Sequence, residues 1–421
     1  MPKTGDCDGG PHTRWIGWLD IDRDDVARGY VIVEPLYAEN YRRARILLRH
    51  GLDPVAFVES DIVEGTAKVP VPDIPTADGS ADDIAVQPIS VVLCTRDRPD
   101  DLARALASIT ALDYPDFEVV VVDNAATTDG TARVVEELGD SRVRRIVEPV
   151  AGLSNARNAG MRAANHDIVA FTDDDVTVDP RWLHGLLRGF SSYPDAVCVC
   201  GMVPSGELRT AAQAYFDQRV SWAISLKPRR FCLADPPENL PLFPFQIGQY
   251  GTGANFAVKR THAIELGGFD EALGAGTAAR GGEDIDMFYR VIAAGHTLIN
   301  EPAAIVWHRH RSDSDALMAQ AKGYGVGLGA WLTKIALDRE QRRRALAVAR
   351  RRFSTTARFV AAYGAIATAG SGFDHAVPSS VGSTEVLSVL GGPWALWRGR
   401  REGRRAEPLK IHPAQSQGAV K

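Results

Sequence analysis

The middle of the chain alternates continuous apolar runs with amphipathic segments. The apolar runs at residues 89–94, 117–122 and 167–171 each end in polar or acidic residues, and segments with helical spacing lie between them. A continuous apolar run is typical of a strand that is buried on both faces, as in a parallel sheet. The alternation of such strands with helices predicts an α/β domain with a Rossmann-like, mostly parallel sheet.

A different pattern precedes this region. Two strand-like segments, residues 41–49 and 54–58, flank the dipeptide His50-Gly51. Glycine readily adopts the positive φ that a tight hairpin turn requires, so the pattern predicts a β-hairpin in a small accessory module. The Pro-, Asp- and Ala-rich segment that follows is typical of a linker.

The last part of the chain is helical in pattern and basic in charge. A glycine at every second position from Gly323 to Gly329 disfavours a stable helix, which indicates a hinge or a region of close packing. Residues 339–410 carry 14 Lys and Arg against 5 Asp and Glu. Trp394 and Trp397 beside arginines suit an anionic membrane surface, and a solvated basic tail is the alternative.

These patterns divide the chain into six predicted segments. In order they are a disordered N-terminus (1–14), a small accessory β-containing module (15–71), a linker (72–88), an α/β domain (89–311), a helical C-terminal extension (312–370) and a basic, partly disordered tail (371–421).

Composition narrows the class of protein further. The chain has 421 residues, 45% hydrophobic and 24% charged, with a net charge of −5, so no overall basic field indicates nucleic acid as a partner. The five cysteines form no CxxC or zinc spacing, and no apolar segment resembles a signal peptide or a spanning helix. We therefore expect a cytoplasmic protein, with peripheral attachment to the inner face of the plasma membrane as an option.

Three consecutive aspartates, Asp173, Asp174 and Asp175, end the third apolar run. In an extended chain, residues i and i+2 share a face, so we expect Asp173 and Asp175 to point one way and Asp174 the other. Carboxylate oxygens are hard ligands that suit Mg²⁺ or Mn²⁺. For an isolated triplet, an acidic turn before a helix is the alternative.

Other polar residues follow the neighbouring strands. Thr95 and Asp97 follow the first run, and Asp123 follows the second. Because the carboxyl ends of parallel strands meet at one edge, these side chains should converge with the aspartates. Residues 152–160 open a helix whose backbone N–H groups and Arg157 suit a diphosphate. No GxGxxG or GxxxxGK[ST] motif is present, which argues against NAD and P-loop chemistry.

The second half of this region supplies further candidates. Residues 251–258 form a Gly-rich turn that leads into a strand and includes Gly253. Glu283 and Asp284 open an amphipathic helix, where acidic residues also complement the helix dipole. His308 and His310 follow another apolar run.

Taken together and in order, six segments resemble the inverting, GT-A fold glycosyltransferases of family 2. They lie between Ile89 and His310 and read ISVVLCTRDRP, VVVDNAATTDGT, GLSNARNAG, FTDDD, GTGANFAV and GGFDEALGAGTAARGGEDIDMFYR. The resemblance implies transfer of a sugar from a nucleotide-diphosphate sugar, such as a UDP- or dTDP-sugar, to a hydroxyl acceptor. The acceptor would be a glycan, a lipid-linked molecule or a small molecule. A divalent cation, Mn²⁺ or Mg²⁺, would assist a single displacement.

The resemblance also implies roles for the nucleotide-binding residues. Asp123 matches the acidic residue that contacts the base, and Thr95 and Asp97 match the floor of the nucleoside pocket. Arg157 matches an arginine near the base and the diphosphate. Many relatives have a tyrosine and an asparagine in the loop where this chain has Cys94-Thr95-Arg96-Asp97, so the base contacts of this loop differ from the usual pattern.

The metal ligands implied by the resemblance are Asp173 and Asp175, which match the DXD motif, and His308. His310 is the weaker candidate for the histidine ligand. Arg309 or Arg311 is the alternative source of charge neutralisation for the diphosphate.

The resemblance implies that the Glu283–Asp284 pair carries out the catalytic chemistry. Asp284 matches the catalytic base, which removes the proton of the attacking hydroxyl group, and Glu283 lies beside it. The segment that contains Gly253 lines the donor-sugar and acceptor pocket in this fold.

Two other functions stay open at this point. A nucleotidyltransferase also pairs aspartates with a metal and a diphosphate, but it has a Gly-rich loop after the first strand, which residues 94–99 lack. A catalytically silent nucleotide-sugar-binding scaffold is the second alternative, and the intact set of Asp173, Asp175 and Asp284 argues against it.

Overall fold

The computed structural model describes residue 10, residues 12–73, 84–220, 223, 225–351 and 377–403. Most of the predicted disordered N-terminus, the middle of the predicted linker, the end of the predicted helical extension and much of the predicted basic tail lie outside these residues. The described part confirms the predicted α/β class.

The described residues form fourteen strands. They are β1 (Trp15–Asp20), β2 (Tyr30–Val33), β3 (Arg43–His50), β4 (Asp53–Val63), β5 (Thr66–Pro70), β6 (Ile89–Thr95), β7 (Phe117–Asn124), β8 (Val143–Glu148), β9 (Ile168–Asp173), β10 (Val176–Val178), β11 (Ala196–Met202), β12 (Arg229–Phe231), β13 (Asn255–Lys259) and β14 (Thr297–His308).

Twelve α-helices lie in the same part of the chain. They are α1 (Arg23–Arg28), α2 (Pro99–Thr110), α3 (Gly130–Leu138), α4 (Leu153–Ala163), α5 (Trp182–Ser192), α6 (Ala211–Arg219), α7 (Arg260–Glu265), α8 (Glu283–Ala293), α9 (Ser314–Leu337), α10 (Arg339–Arg351), α11 (Val381–Ser388) and α12 (Gly392–Gly403).

The N-terminal module is a five-stranded sheet with the strand order β1-β3-β4-β5-β2. The predicted hairpin forms between β3 and β4, and Gly51 adopts a φ of 60° at its turn. Ile46, Leu48 and Val69 are fully buried or nearly so in the module's own core. Leu47 instead packs against side chains of β11 and β14, so the sheet lies directly on the α/β domain.

The second sheet has the strand order β10-β14-β11-β13-β9-β6-β7-β8, and β12 pairs with β14. Strands β8, β7, β6 and β9 are mutually parallel, and every residue of β6 is buried, as its continuous apolar sequence predicts. Strand β13 runs antiparallel to both of its neighbours, so the other half of the sheet is mixed. The acidic strand ends therefore lie in the parallel half.

The prediction of a hinge at the alternating glycines is wrong, and the alternative of close packing is correct. Helix α9 continues without interruption through Gly323–Gly329. A Cβ on Gly325 would lie 2.0 Å from the Glu385 carbonyl oxygen, and one on Gly329 would lie 2.1 Å from the Val389 carbonyl oxygen. Glycine is therefore required because another helical segment packs directly on the α9 backbone.

Residues 204–248 are rich in aromatic residues and prolines, a composition that predicts an irregular segment, either an acceptor-binding lid or a packed loop. They contain helix α6 and strand β12, and Phe231 and Phe243 are buried in the main hydrophobic core. Their burial favours the packed loop. Across the described ranges, no helix combines the length and the apolar character that crossing a membrane requires.

Candidate active site

The carboxyl ends of three parallel strands meet at one edge of the sheet, as predicted. In the strand register, Thr95 of β6 lies opposite Asp123 of β7, and Cys94 lies opposite Asp173 of β9. A cavity opens at this edge. Its lining includes Thr95, Arg98, Asn124, Asp173, Asp174, Asp175, Thr252, His308, Arg311, Gln320 and Tyr324.

The three aspartates have different sets of partners. Asp173 Oδ1 lies 3.3 Å from Arg157 Nη2, whereas Asp174 accepts a hydrogen bond from Thr95 Oγ1 at 2.7 Å and pairs with Arg98. Arg98 also contacts Asp175, at 3.3 Å. The alternation expected of an extended chain does not continue past Asp173, because β9 ends there and the chain turns before β10.

The surroundings of these carboxylates push their pKa values apart. Burial raises the pKa of Asp174 to about 7, even though Arg98 and Thr95 favour its charged form. Burial also acts on Asp175, but the neighbouring His308, Arg98 and Arg311 hold its pKa well below the ordinary value. Asp175 is therefore the member of the triplet that is best suited to remain ionised and bind a cation.

Arg157 is buried at the centre of the site. Its Nη1 donates to Glu283 Oε1 at 2.9 Å, and its Nη2 donates to the Gly253 carbonyl oxygen at 2.9 Å, besides contacting Asp173. Burial, with a contribution from Asp284, raises the pKa of Glu283 to about 7, and Arg157 opposes that rise. Arg157 thus connects the β9 end, the Gly253 turn and the start of α8.

Asp284 is half-buried in the first turn of α8. Its Oδ2 accepts a hydrogen bond from the Gly253 N–H at 2.8 Å, and its Oδ1 accepts one from the Ile285 N–H at 2.8 Å. Gly253 therefore lies between two side chains, and a Cβ there would be 2.8 Å from Arg157 Nη2 and 3.1 Å from Asp284 Oδ2. This close approach explains the glycine, and its neighbour Thr252 lines the cavity.

The predicted nucleoside residues differ in their environments. Asp97 adopts a φ of 53° and accepts hydrogen bonds from the N–H groups of Thr127 and Thr128, so it joins the loops that follow β6 and β7. Asp123 Oδ2 accepts a hydrogen bond from Arg145 at 2.9 Å, and its buried Oδ1 has no partner within the described residues. Asp123 therefore keeps one buried acceptor atom whose hydrogen-bonding capacity is unused within the described part of the chain.

Strand β10 pairs with the end of β14 and brings His308 beside the aspartates. His308 lies opposite Val176 in the register, and its Nε2 is 3.3 Å from Asp175 Oδ1. His310 lies behind His308 and contacts Ser205 through Nε2 at 2.8 Å. This arrangement favours His308 over His310 as a ligand.

The predicted metal set is only partly assembled. Among the described residues, no group of three His, Cys, Asp or Glu has a geometry that would hold a metal ion, and Asp173 is turned toward Arg157. Asp175 and His308 do form a pair of a hard oxygen donor and an imidazole nitrogen. Such a pair fits a divalent cation that takes its other ligands from substrate phosphates and water.

Sequence reasoning missed three residues that line the cavity. Arg98 precedes α2, and its contacts with the aspartates have no local sequence signal. Gln320 and Tyr324 come from α9, and Gln320 Nε2 donates to Tyr324 Oη at 3.0 Å. Their spacing of four residues, which places them on one face of a helix, was the only sequence signal that they lie side by side.

The fold and the site together define a Rossmann-like α/β protein with a carboxylate- and arginine-lined cavity at the carboxyl edge of its sheet. Residues 90–253 match the model of "Glycosyl transferase family 2". This is the family that the six segments resemble, so the match supports the predicted resemblance over residues 90–253.

Several characterised proteins are similar to this chain. The "Pre-mycofactocin glycosyltransferase" of Mycobacterium tuberculosis is 29% identical over 229 residues, which cover 53% of this chain and 43% of that protein. The "Succinoglycan biosynthesis protein ExoM" of Rhizobium meliloti is 31% identical over 225 residues, which cover 52% and 65%. The chain thus spans about half the length of the curated relatives that it matches.

A solved structure is similar as well. The mannosyltransferase PcManGT from Pyrobaculum calidifontis, in complex with GDP-Man and Mn²⁺, has a TM-score of 0.47 and 18% sequence identity. The similarity covers 74% of this chain and 90% of that chain.

Proposed function

We propose that this protein is a divalent-metal-assisted, inverting glycosyltransferase that uses a nucleotide-diphosphate sugar, a UDP- or dTDP-sugar, and a hydroxyl acceptor. The observation that carries the proposal is the half-buried Asp284, held at the Gly253 turn beside the cavity that Asp175 and His308 line. A base beside the cavity and a cation-binding pair that lines it are the two parts that a single displacement needs.

The donor would bind at the carboxyl ends of β6, β7 and β9. Asp123 Oδ1 would accept a hydrogen bond from the nucleoside. Asp175 and His308 would hold the cation, which supplies a positive charge for the departing diphosphate. Arg98 and Arg311, which contact Asp175, add positive charge to the same part of the cavity.

The acceptor hydroxyl would lose its proton to Asp284. As that proton leaves, the acceptor oxygen forms a bond to the anomeric carbon, and the bond from this carbon to the diphosphate oxygen breaks. Attack from the face opposite the diphosphate inverts the anomeric configuration. The N–H groups of Gly253 and Ile285 orient the carboxylate by one hydrogen bond to each oxygen, and each oxygen keeps a further lone pair for the acceptor.

Binding of nucleotide diphosphates tests the donor half of this proposal. We expect calorimetry to detect one of UDP, dTDP or GDP only when Mn²⁺ is present. Asp175→Ala should abolish this metal-dependent binding because the variant lacks the carboxylate of the cation pair. Asp129→Ala, which removes an exposed carboxylate of the same domain, is the control and should bind normally.

Two outcomes would contradict the proposal. Metal-dependent affinity that survives in Asp175→Ala would mean that the aspartate triplet is structural. Binding of an intact nucleotide sugar without any transfer or hydrolysis would favour the silent scaffold, and pyrophosphate release from a nucleoside triphosphate would favour a nucleotidyltransferase.

We also propose that the surface of α11 and α12 binds an anionic bilayer. Leu390 is 80% exposed, and three more large apolar side chains on this surface are more than half exposed. Arginines lie over both tryptophans, at 5.3 Å and 4.7 Å from the ring centroids. Apolar side chains flanked by cations suit the boundary of an anionic lipid layer. The residues of this lipid surface are Leu387, Leu390, Trp394, Trp397, Arg398 and Arg401.

Vesicle binding tests the lipid surface. The protein should co-sediment with vesicles that contain phosphatidylglycerol and not with vesicles of phosphatidylcholine alone. Trp394→Ala should weaken this binding roughly 10-fold, the effect of one large apolar side chain that is no longer buried. Trp18→Ala is the matched control, since Trp18 is also an exposed tryptophan with an arginine over its ring. Equal losses in the two variants, or no binding by the wild type, would overturn the assignment.

A further inference from the structure

A chain of polar contacts leads from the N-terminal module to His308. Arg45 of β3 donates from Nη1 to Asp217 Oδ2 at 2.7 Å, and Ser205 Oγ donates to Asp217 Oδ1 at 2.5 Å. Ser205 Oγ also lies 2.8 Å from His310 Nε2, and His310 Nδ1 lies 3.0 Å from His308 Nδ1. We name Arg45, Asp217, Ser205, His310 and His308 the polar chain.

The direction of each hydrogen bond in the polar chain follows from the donors and acceptors. Asp217 pairs with Arg45 and only accepts, so the single hydroxyl hydrogen of Ser205 is directed at Asp217. Ser205 Oγ must then accept the remaining contact, which places a hydrogen on His310 Nε2. A buried imidazole that packs on an aromatic ring, as His310 packs on Phe216, favours the neutral form, and its Nδ1 is then an acceptor.

These directions place a hydrogen on one ring nitrogen of His308. Because His310 Nδ1 accepts, His308 must donate its Nδ1 hydrogen across the 3.0 Å contact. The Nε2 atom of a neutral His308 then has a lone pair, and it faces Asp175 Oδ1 at 3.3 Å. Two acceptor atoms that face each other leave room for a cation between them. In a metal-binding histidine, the hydrogen bond that the other ring nitrogen donates commonly fixes the tautomer.

We propose that the N-terminal module positions the cation ligand of the α/β domain. Through the polar chain, Arg45 orients Asp217, Ser205 and His310, and these fix His308 with its hydrogen on Nδ1 and its Nε2 lone pair toward Asp175. The four upstream members are positioning residues that contact neither substrate nor metal. The tautomer follows from the hydrogen bonds and from the burial of His310, and only the identity of the bound group rests on the proposed function.

Strand β3 offers a matched control for Arg45. Arg43 lies two residues earlier on the same strand and pairs with Glu59 at 3.0 Å and Asp61 at 3.1 Å. Arg45 also contacts Glu59, at 3.3 Å, but of these two arginines only Arg45 reaches Asp217. A comparison of Arg45→Met with Arg43→Met therefore distinguishes the effect of breaking the polar chain from the effect of losing a positive charge in the module.

Nuclear magnetic resonance of the metal-free protein tests the tautomer directly. In full-length protein labelled with ¹⁵N-histidine at alkaline pH, the His308 signals, assigned with His308→Asn, should be those of an Nδ1–H imidazole. Ser205→Ala and Arg45→Met should shift them toward a mixture of tautomers, and Arg43→Met should not. An Nε2–H tautomer in the wild type, or signals that are unchanged in folded Ser205→Ala, would overturn the inference.

Manganese binding tests the consequence of this tautomer. With the nucleotide diphosphate that calorimetry identifies, Ser205→Ala should bind Mn²⁺ roughly 10-fold more weakly, because the loss of a residue that orients a metal ligand commonly lowers metal affinity by about this factor. Unchanged Mn²⁺ affinity in the variant would overturn the positioning role. Absence of nucleotide and Mn²⁺ binding in the wild type would instead overturn the proposed function, and the tautomer would still be read from the metal-free spectra.

Discussion

Replacing Asp284 with asparagine should reduce turnover by roughly 10²–10⁴-fold, the usual contribution of a general base. An asparagine side chain has the same shape and can keep the hydrogen bond from the Gly253 N–H, although its NH₂ group cannot accept the one from the Ile285 N–H. It cannot accept the proton of the acceptor hydroxyl. Steady-state kinetics with the donor sugar, together with calorimetry of the nucleotide diphosphate, would show lost turnover and nearly unchanged binding.

A suitable control for this variant is Asp100→Asn. Asp100 is an exposed aspartate in the first turn of α2, so it shares the helix position of Asp284 without its place at the Gly253 turn. It should retain normal turnover. If Asp284→Asn also turned over normally, Asp284 would not be the base, and Glu283 would be the next residue to replace.

Replacing Arg157 with methionine should lower the free energy of unfolding by about 3–5 kcal/mol, as expected when one partner of a buried ion pair is removed. The arginine is 2% exposed and neutralises Glu283 and Asp173. Without it, two carboxylates and the Gly253 carbonyl oxygen would lose a shared partner inside the protein. Equilibrium unfolding in urea at neutral pH measures this change.

Two comparison variants sharpen the Arg157 experiment. Arg133 forms an ion pair with Asp129 in which the side chains are 64% and 73% exposed, so Arg133→Met should change stability by less than about 1 kcal/mol. Adding Glu283→Gln to Arg157→Met should restore part of the loss, since it removes one uncompensated charge. A loss of stability as small as that of Arg133→Met would mean that Arg157 is not the central ion-pair residue of the site.

The strand-end residues could be predicted from the sequence because parallel topology alone brings them together. Continuous apolar runs identify buried strands, and their carboxyl ends must share an edge, which places Thr95, Asp123 and Asp173 side by side without knowledge of any contact. Asp284 and Gly253 also lie in contact, and the family resemblance had given both of them roles in the transfer reaction.

The remaining features depend on contacts between distant segments, which local patterns do not encode. The pairing of Arg98 with the aspartates depends on a turn after Asp173 that ended the expected alternation. Asp97 was expected in the nucleoside pocket, but its role in joining two loops depends on residues thirty positions away. The glycine pattern of α9 disfavours a helix by propensity, and only packing against other segments offsets that cost.

The glycines of α9 also influence the position of Asp284, the proposed base. A Cβ on Gly327 would lie 2.8 Å from the carbonyl carbon of Gly281, two residues before α8 begins, so the two backbones meet without side chains between them. This close backbone contact lies three residues before Asp284 in the chain, so it holds the segment that leads into α8 directly against α9. A methyl group added at Gly327 would therefore force α9 and the segment before α8 apart, although Gly327 is not among the residues that line the cavity.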